Sequence, residues 1–111
     1  MAIGERLTPQ YAMVKLAQLA GRESVSVLRR GELEVKYYRP KHTDGQTPHT
    51  MDEVYVIIEG TGNYVFGSES HPCHSGEVIF VPAGTQHRFE DFSDDFATWA
   101  IFIGPNGSER Q

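Results

Sequence analysis

The chain has 111 residues, 39% of them hydrophobic and 23% charged, with a formal net charge of -5. That length carries one core in a single domain, and the acidic balance argues against a nucleic-acid backbone or an anionic membrane surface as partner, since both require clustered Lys and Arg. The one cysteine, Cys73, excludes an internal disulfide, and no apolar window reaches the length of a signal core or a membrane span, so the expected compartment is cytoplasmic.

Residues 1–23 form an N-terminal segment with two readings. Thr8 and Pro9 suit the cap and first position of a short helix closed by Gly21, while Tyr11, Val14 and Leu16 suit an edge strand. From Ser24 the apolar period becomes two. Val25 and Val27, then Leu33, Val35 and Tyr37 across the Arg29-Arg30-Gly31 turn, predict a hairpin ended by Pro40. Residues 41–48 read as a loop. Val54 to Glu59 is a strand, Gly60-Thr61-Gly62 a turn, Tyr64 to Phe66 the returning strand, and Val78 to Val81 another, closed by Pro82-Ala83-Gly84. His87 to Phe89, an acidic loop and the strand Phe96 to Ile103 follow, with a polar tail at residues 105–111. Eight or more short strands over residues 24–104, several apolar on both faces, predict an antiparallel sandwich or barrel whose second face is covered by another sheet or by a second copy of the chain.

Two stretches carry chemistry. His49 and Glu53 share strand parity, so an extended chain projects both to one face with Met51 between them. Pro82 closes its strand, Gly84 permits a tight reversal, and His87 opens the next strand. If that strand pairs near His49, two imidazoles and one carboxylate converge. Such a set suits Fe(II), Mn(II), Zn(II) or Ni(II), with coordination positions left for water or substrate. A hydrogen-bonded polar cluster without metal is the competing reading of the same three residues.

Together the stretches His49-x3-Glu53-x6-Gly60 and Gly76-x5-Pro82-x-Gly84-x2-His87-x3-Asp91 resemble the two signature motifs of the cupin superfamily, in its small single-domain conserved-barrel form. The resemblance implies an all-β double-stranded β-helix, a jelly-roll barrel, with a divalent metal ion held at His49, Glu53 and His87 and with homodimers common. The chain departs from the pattern twice. Thr47 stands where the family has the first histidine of its first motif, and Asp91 where it has an asparagine. His42, seven residues before His49, has the wrong strand parity to replace the missing ligand.

The remaining candidates are weighed by their surroundings. Tyr38, Tyr55, Tyr64 and Trp99 fit either core packing or the lining of a substrate pocket, and in a barrel interior the two merge. Gln46 and Thr47 are candidates for the same substrate pocket, and Gln46 and Arg88, flanking the proposed ligands, for contact with a substrate. Asp52 reads as a solvated strand-face carboxylate, His71-Pro72-Cys73-His74 as a surface loop with an incidental thiol, and Glu90, Asp91, Asp94 and Asp95 as a solvated turn. The functional expectation is a small metal-dependent cupin binding or transforming a small polar molecule, as an oxygenase or isomerase. The alternatives are a non-catalytic small-molecule or metal-binding module, and a structural dimer with an empty pocket.

Overall fold

Strand β3, Asp52–Glu59, shows how the sequence makes two layers. Glu53, Tyr55 and Ile57 point one way and are completely buried, while Val54, Val56 and Ile58 point the other way and are half-buried. In the computed structural model, which describes residues 4–42 and 50–104, the first face meets a second sheet and the other meets a helix over part of its width. The elements run α1 (Pro9–Ala17), β1 (Ser24–Arg30), β2 (Leu33–Tyr38), β3, β4 (Thr61–Phe66), β5 (Glu69–His74), β6 (Val78–Val81), β7 (His87–Glu90) and β8 (Ala97–Ile103). A five-stranded sheet has the order β1-β2-β8-β3-β6 and a three-stranded sheet the order β5-β4-β7. Every pairing is antiparallel. This is the all-β jelly-roll arrangement.

Between the sheets lies a core of Tyr55, Ile57, Tyr64, Val81, Phe89 and Phe96, with Cys73 and Ala100. Its rings meet at angles that aromatic quadrupoles favour: Tyr55 and Phe89 are edge-on at 4.8 Å, and Phe89 and Phe96 are tilted at 5.0 Å. The N-terminal segment takes the helical of its two readings. The Thr8 hydroxyl accepts from the Tyr11 amide, and Pro9 occupies the first turn, where no amide partner is needed. Ala12 and Leu16 of α1 pack against Val25, Val27, Val35 and Tyr37 on the outer face of the larger sheet, forming a second cluster.

The stretch His71 to His74 corrects the sequence reading. It is a strand, not a loop, and Cys73 is its one buried residue. Pro72 misled the reading, because proline cannot donate to a ladder. Among the described residues it stands on an edge strand, paired on one side only.

The turn between β3 and β4 depends on Gly60. Its φ is +85°, and a Cβ there would lie 2.6 Å from the Phe96 Cα and from the Ser93 Oγ. Gly67 has φ +59° but nothing within 4 Å of such a Cβ. We expect Gly60→Ala to lower stability by about 2–4 kcal/mol, strain and clash together, and Gly67→Ala by about 1 kcal/mol. Equal shifts of the urea midpoint for the two variants would contradict this account.

Candidate functional site

Glu53 reaches the interior from β3, and His87 reaches it from β7 in the opposite sheet. The side chains are 1% and 0% exposed, and His87 Nε2 stands 3.4 Å from Glu53 Oε1. β7 pairs with β4, not beside β3, so the two side chains meet across the space between the sheets. The expected pairing of the His87 strand near His49 lies outside the described residues. Parity places each on an inward face, and the sandwich closes the distance.

A short turn delivers His87. The Pro82 carbonyl accepts from the Thr85 amide at 3.2 Å, and Gly84 takes the φ of +81° that the reversal requires. The Thr85 carbonyl then lies 2.8 Å from His87 Nδ1. A carbonyl only accepts, so Nδ1 carries a proton in either charge state of the ring. Nε2 is thereby turned toward Glu53 and toward the Tyr55 hydroxyl, 3.1 Å away. In the neutral ring Nε2 accepts from Tyr55; in the imidazolium it donates to the carboxylate.

Asp52 corrects a second reading. It is 7% exposed, and its Oδ1 accepts from the Ala83 amide at 2.9 Å. The first residue of β3 is thus fastened to the turn that precedes His87. Its parity, opposite to that of Glu53, suggested solvent. The amide of Ala83, inside a turn opened by a proline, was the available signal that a carboxylate would be needed there.

The walls are aromatic. Tyr64 and Phe89 line the interior beside His87 and Tyr55, with Tyr64 and His87 ring centroids 6.4 Å apart. Burial, and after it the negative charge of Glu53, push the Tyr64 phenol up to about 12. Tyr38 packs at the margin of this core. A cavity of about 460 Å³ opens between the edge strands β5 and β6, and Tyr64, Phe66, His71, Cys73, Glu77 and Ile79 are among its lining residues. Burial also raises the Cys73 thiol to about 11, the carboxylate of Glu77 adding to the effect.

Other candidates lie elsewhere. Trp99 packs edge-on against Tyr37 at 5.8 Å, on the outer face of the larger sheet, and does not line the interior. Arg88 points away from the site and pairs with Glu90. His42 is exposed. His49, Thr47 and Gln46 lie outside the described residues. Among the described residues, no group of three His, Cys, Asp or Glu could hold a cation. Glu53 and His87 are a compatible pair of donors: two atoms 3.4 Å apart can each stand about 2.1 Å from one ion, an ordinary length for imidazole and carboxylate ligands.

Comparison with known proteins agrees with this architecture. Residues 29–103 match the family described as "Cupin domain". A Streptomyces coelicolor protein of uncharacterized function is 38% identical over 63 residues, covering 57% of this chain and 60% of its own. Acireductone dioxygenase of Enterobacter sp. is 32% identical over 105 residues, covering 88% of this chain and 58% of its own. The chain therefore spans about three fifths of the length of these curated relatives. The crystal structure of a Cupin 2 conserved barrel domain protein from Salinispora arenicola superposes with a TM-score of 0.69 at 18% identity, covering 94% of this chain and 91% of that one.

The fastening of Asp52 to Ala83 has a measurable consequence. Asp52→Ala leaves a part-buried amide without its acceptor and should cost about 1–3 kcal/mol in urea unfolding, whereas Asp52→Asn, which keeps a carbonyl oxygen, should recover most of it. Wild-type stability in Asp52→Ala would show that the turn is held by something else.

Proposed function

We propose that this chain, which belongs to the cupin-domain family, holds a divalent cation with His49, Glu53 and His87 and binds a small polar molecule beside it, between the two sheets. The observation that carries this reading is the wholly buried Glu53–His87 pair, whose donors approach from opposite sheets to 3.4 Å. A carboxylate removed from water needs a cation or hydrogen-bond donors close by. Iron, manganese, zinc or nickel suits the donor set, and the ion when bound supplies Lewis acidity or, as Fe(II), oxygen activation. Among these reactions we favour a dioxygenase type, since relatives named acireductone dioxygenase align with 88% of this chain.

The chain's own residues have definable parts in such a reaction. The Thr85 carbonyl fixes the His87 ring and its Nδ1 proton, leaving Nε2 to serve as ligand. The Tyr55 hydroxyl is placed to give or hold a proton at the same spot. Tyr64, Phe89 and Phe96 keep water from the interior, and the cavity between β5 and β6 offers the small molecule a way in. A second reading, a non-catalytic binding module, is favoured by Thr47 in place of a ligand histidine and by the Tyr55 hydroxyl already at Nε2.

The test is metal content of the full chain after growth in media enriched in each metal. We expect stoichiometric binding of a divalent ion, with His49→Ala, Glu53→Gln and His87→Ala each weakening it by roughly 100-fold or more. Equal metal content in all four proteins would remove the site. Oxygen uptake by the loaded protein with small polar carbonyl compounds then separates the enzyme from the module.

We also propose a homodimer in the cytoplasm. Phe80 and Val78 of β6 continue the outward row of Val54 and Val56 and are 55% and 65% exposed, a patch that a second copy would cover. Light scattering should give twice the chain mass, and Phe80→Asp should give the monomer. A wild-type monomer at all concentrations would refute the pairing.

A further inference from the structure

On the far side of the larger sheet from Glu53 and His87 lies a cavity of about 570 Å³, a volume ordinary for small-molecule sites. It sits where the C-terminal end of α1 meets the end of β2 and the chain before β8. Its apolar wall is built by Met13, Leu16 and Leu19, two of which are exposed to an unusual degree for their type, at 41% for Met13 and 39% for Leu19.

The polar lining has one character. Arg22, Arg39 and Lys41 supply three positive charges, against one carboxylate, Asp94. Such a concentration is notable in a chain of net charge -5. Among the described residues no carboxylate stands within ion-pair distance of these three cations; Arg39 donates instead to the Asp94 backbone carbonyl at 3.4 Å.

Tyr37 adds an independent observation. It lines the cavity from β2 and is 0% exposed; the Arg39 side chain lies beside its hydroxyl and can donate to it, but no acceptor for the hydroxyl's own proton is found among the described residues. A buried hydroxyl proton without an acceptor is destabilising, and a bound acceptor would relieve it. Burial raises the phenol above its ordinary 10 and Arg39 beside it draws it back, while Glu59 adds to the rise. The hydroxyl therefore keeps its proton and can donate. Guanidinium, ammonium and phenol are all donors.

We infer that this cavity is a second binding site, for a small organic anion with an apolar body. A carboxylate or phosphate group would be taken by Arg39, Arg22, Lys41 and the Tyr37 hydroxyl, and the apolar part would lie along Met13, Leu16 and Leu19. The site is separate from the proposed metal centre. Tyr37, its neighbour Trp99 and Val56 share the outer face in register, while Glu53 and Tyr55 face inward.

The chain carries its own reporter. Trp99 is the one tryptophan and touches Tyr37. Its fluorescence is followed during titration of the full chain with octanoate, with octanol as the uncharged counterpart. We expect a saturable change with octanoate and binding of octanol at least about tenfold weaker, the contribution of one charge-assisted hydrogen bond. Arg39→Met should weaken octanoate by at least about tenfold and Tyr37→Phe several-fold, while Arg88→Met, loss of a cation on the other sheet, leaves it unchanged. If Arg39→Met loses its native circular dichroism, Arg22→Met and Lys41→Met take its place. The inference is overturned by the absence of saturation up to about 10 mM, by equal affinity for octanol, by indifference to loss of the cavity's cations, or by equal sensitivity to Arg88→Met.

Discussion

The constraint that shapes this protein is a carboxylate placed inside a hydrocarbon core. Glu53 is among the largest side chains with no access to solvent, and it lies in the same layer as Tyr55, Phe89 and Phe96. Such a group is tolerated only where its surroundings supply compensation. Here one polar neighbour, His87, comes from the other sheet, so the two sheets are joined by a polar contact as well as by apolar packing. Much else follows from that meeting. The Pro82 turn sets where β7 begins, the Thr85 carbonyl sets the ring's orientation, and Asp52 anchors the turn to the strand that carries Glu53.

The larger sheet therefore has two faces with different chemistry. Its inner face is aromatic and carries the carboxylate. Its outer face is aliphatic beneath α1 and becomes cationic at one end, where Arg22, Arg39 and Lys41 gather. A two-residue period assigns successive side chains of one strand to these two environments. On β3, Glu53 and Tyr55 go inward while Val54 and Val56 go outward. The same six residues of β2 contribute Tyr37 to one side and Tyr38 to the other.

Much of the fold was legible because strands with this period and these turn residues have few alternatives. The hairpin of β1 and β2, the strands around Gly60 and the strand ending at Pro82 all lie where alternation and glycine placed them. β5 was not legible: Glu69, Ser70, His71, Pro72 and His74 are exposed or polar, and Cys73 alone marks its inward face. For the site, the alternating pattern marked Glu53 as a residue of one strand face, and the Pro82 and Gly84 turn marked His87 as the start of the next strand. Neither signal was enough to say that they face each other, because which strands pair is a property of the whole topology. Asp52 and Trp99 were misjudged for a related reason. A strand position shows which face a side chain takes, but not what waits there: an amide in need of an acceptor for Asp52, and a helix-covered cluster for Trp99.

The position of Cys73 has a practical side. The only sulfhydryl in the chain sits under an edge strand, 4% exposed, with burial holding it in the protonated form. Protonated thiols are poor nucleophiles and slow to oxidise. Air-exposed stocks of the folded protein should thus remain free of disulfide-linked pairs without added reductant. A cysteine engineered onto the surface would be the fast-reacting one, giving a chain that accepts a single dye or spin label where the experimenter chooses.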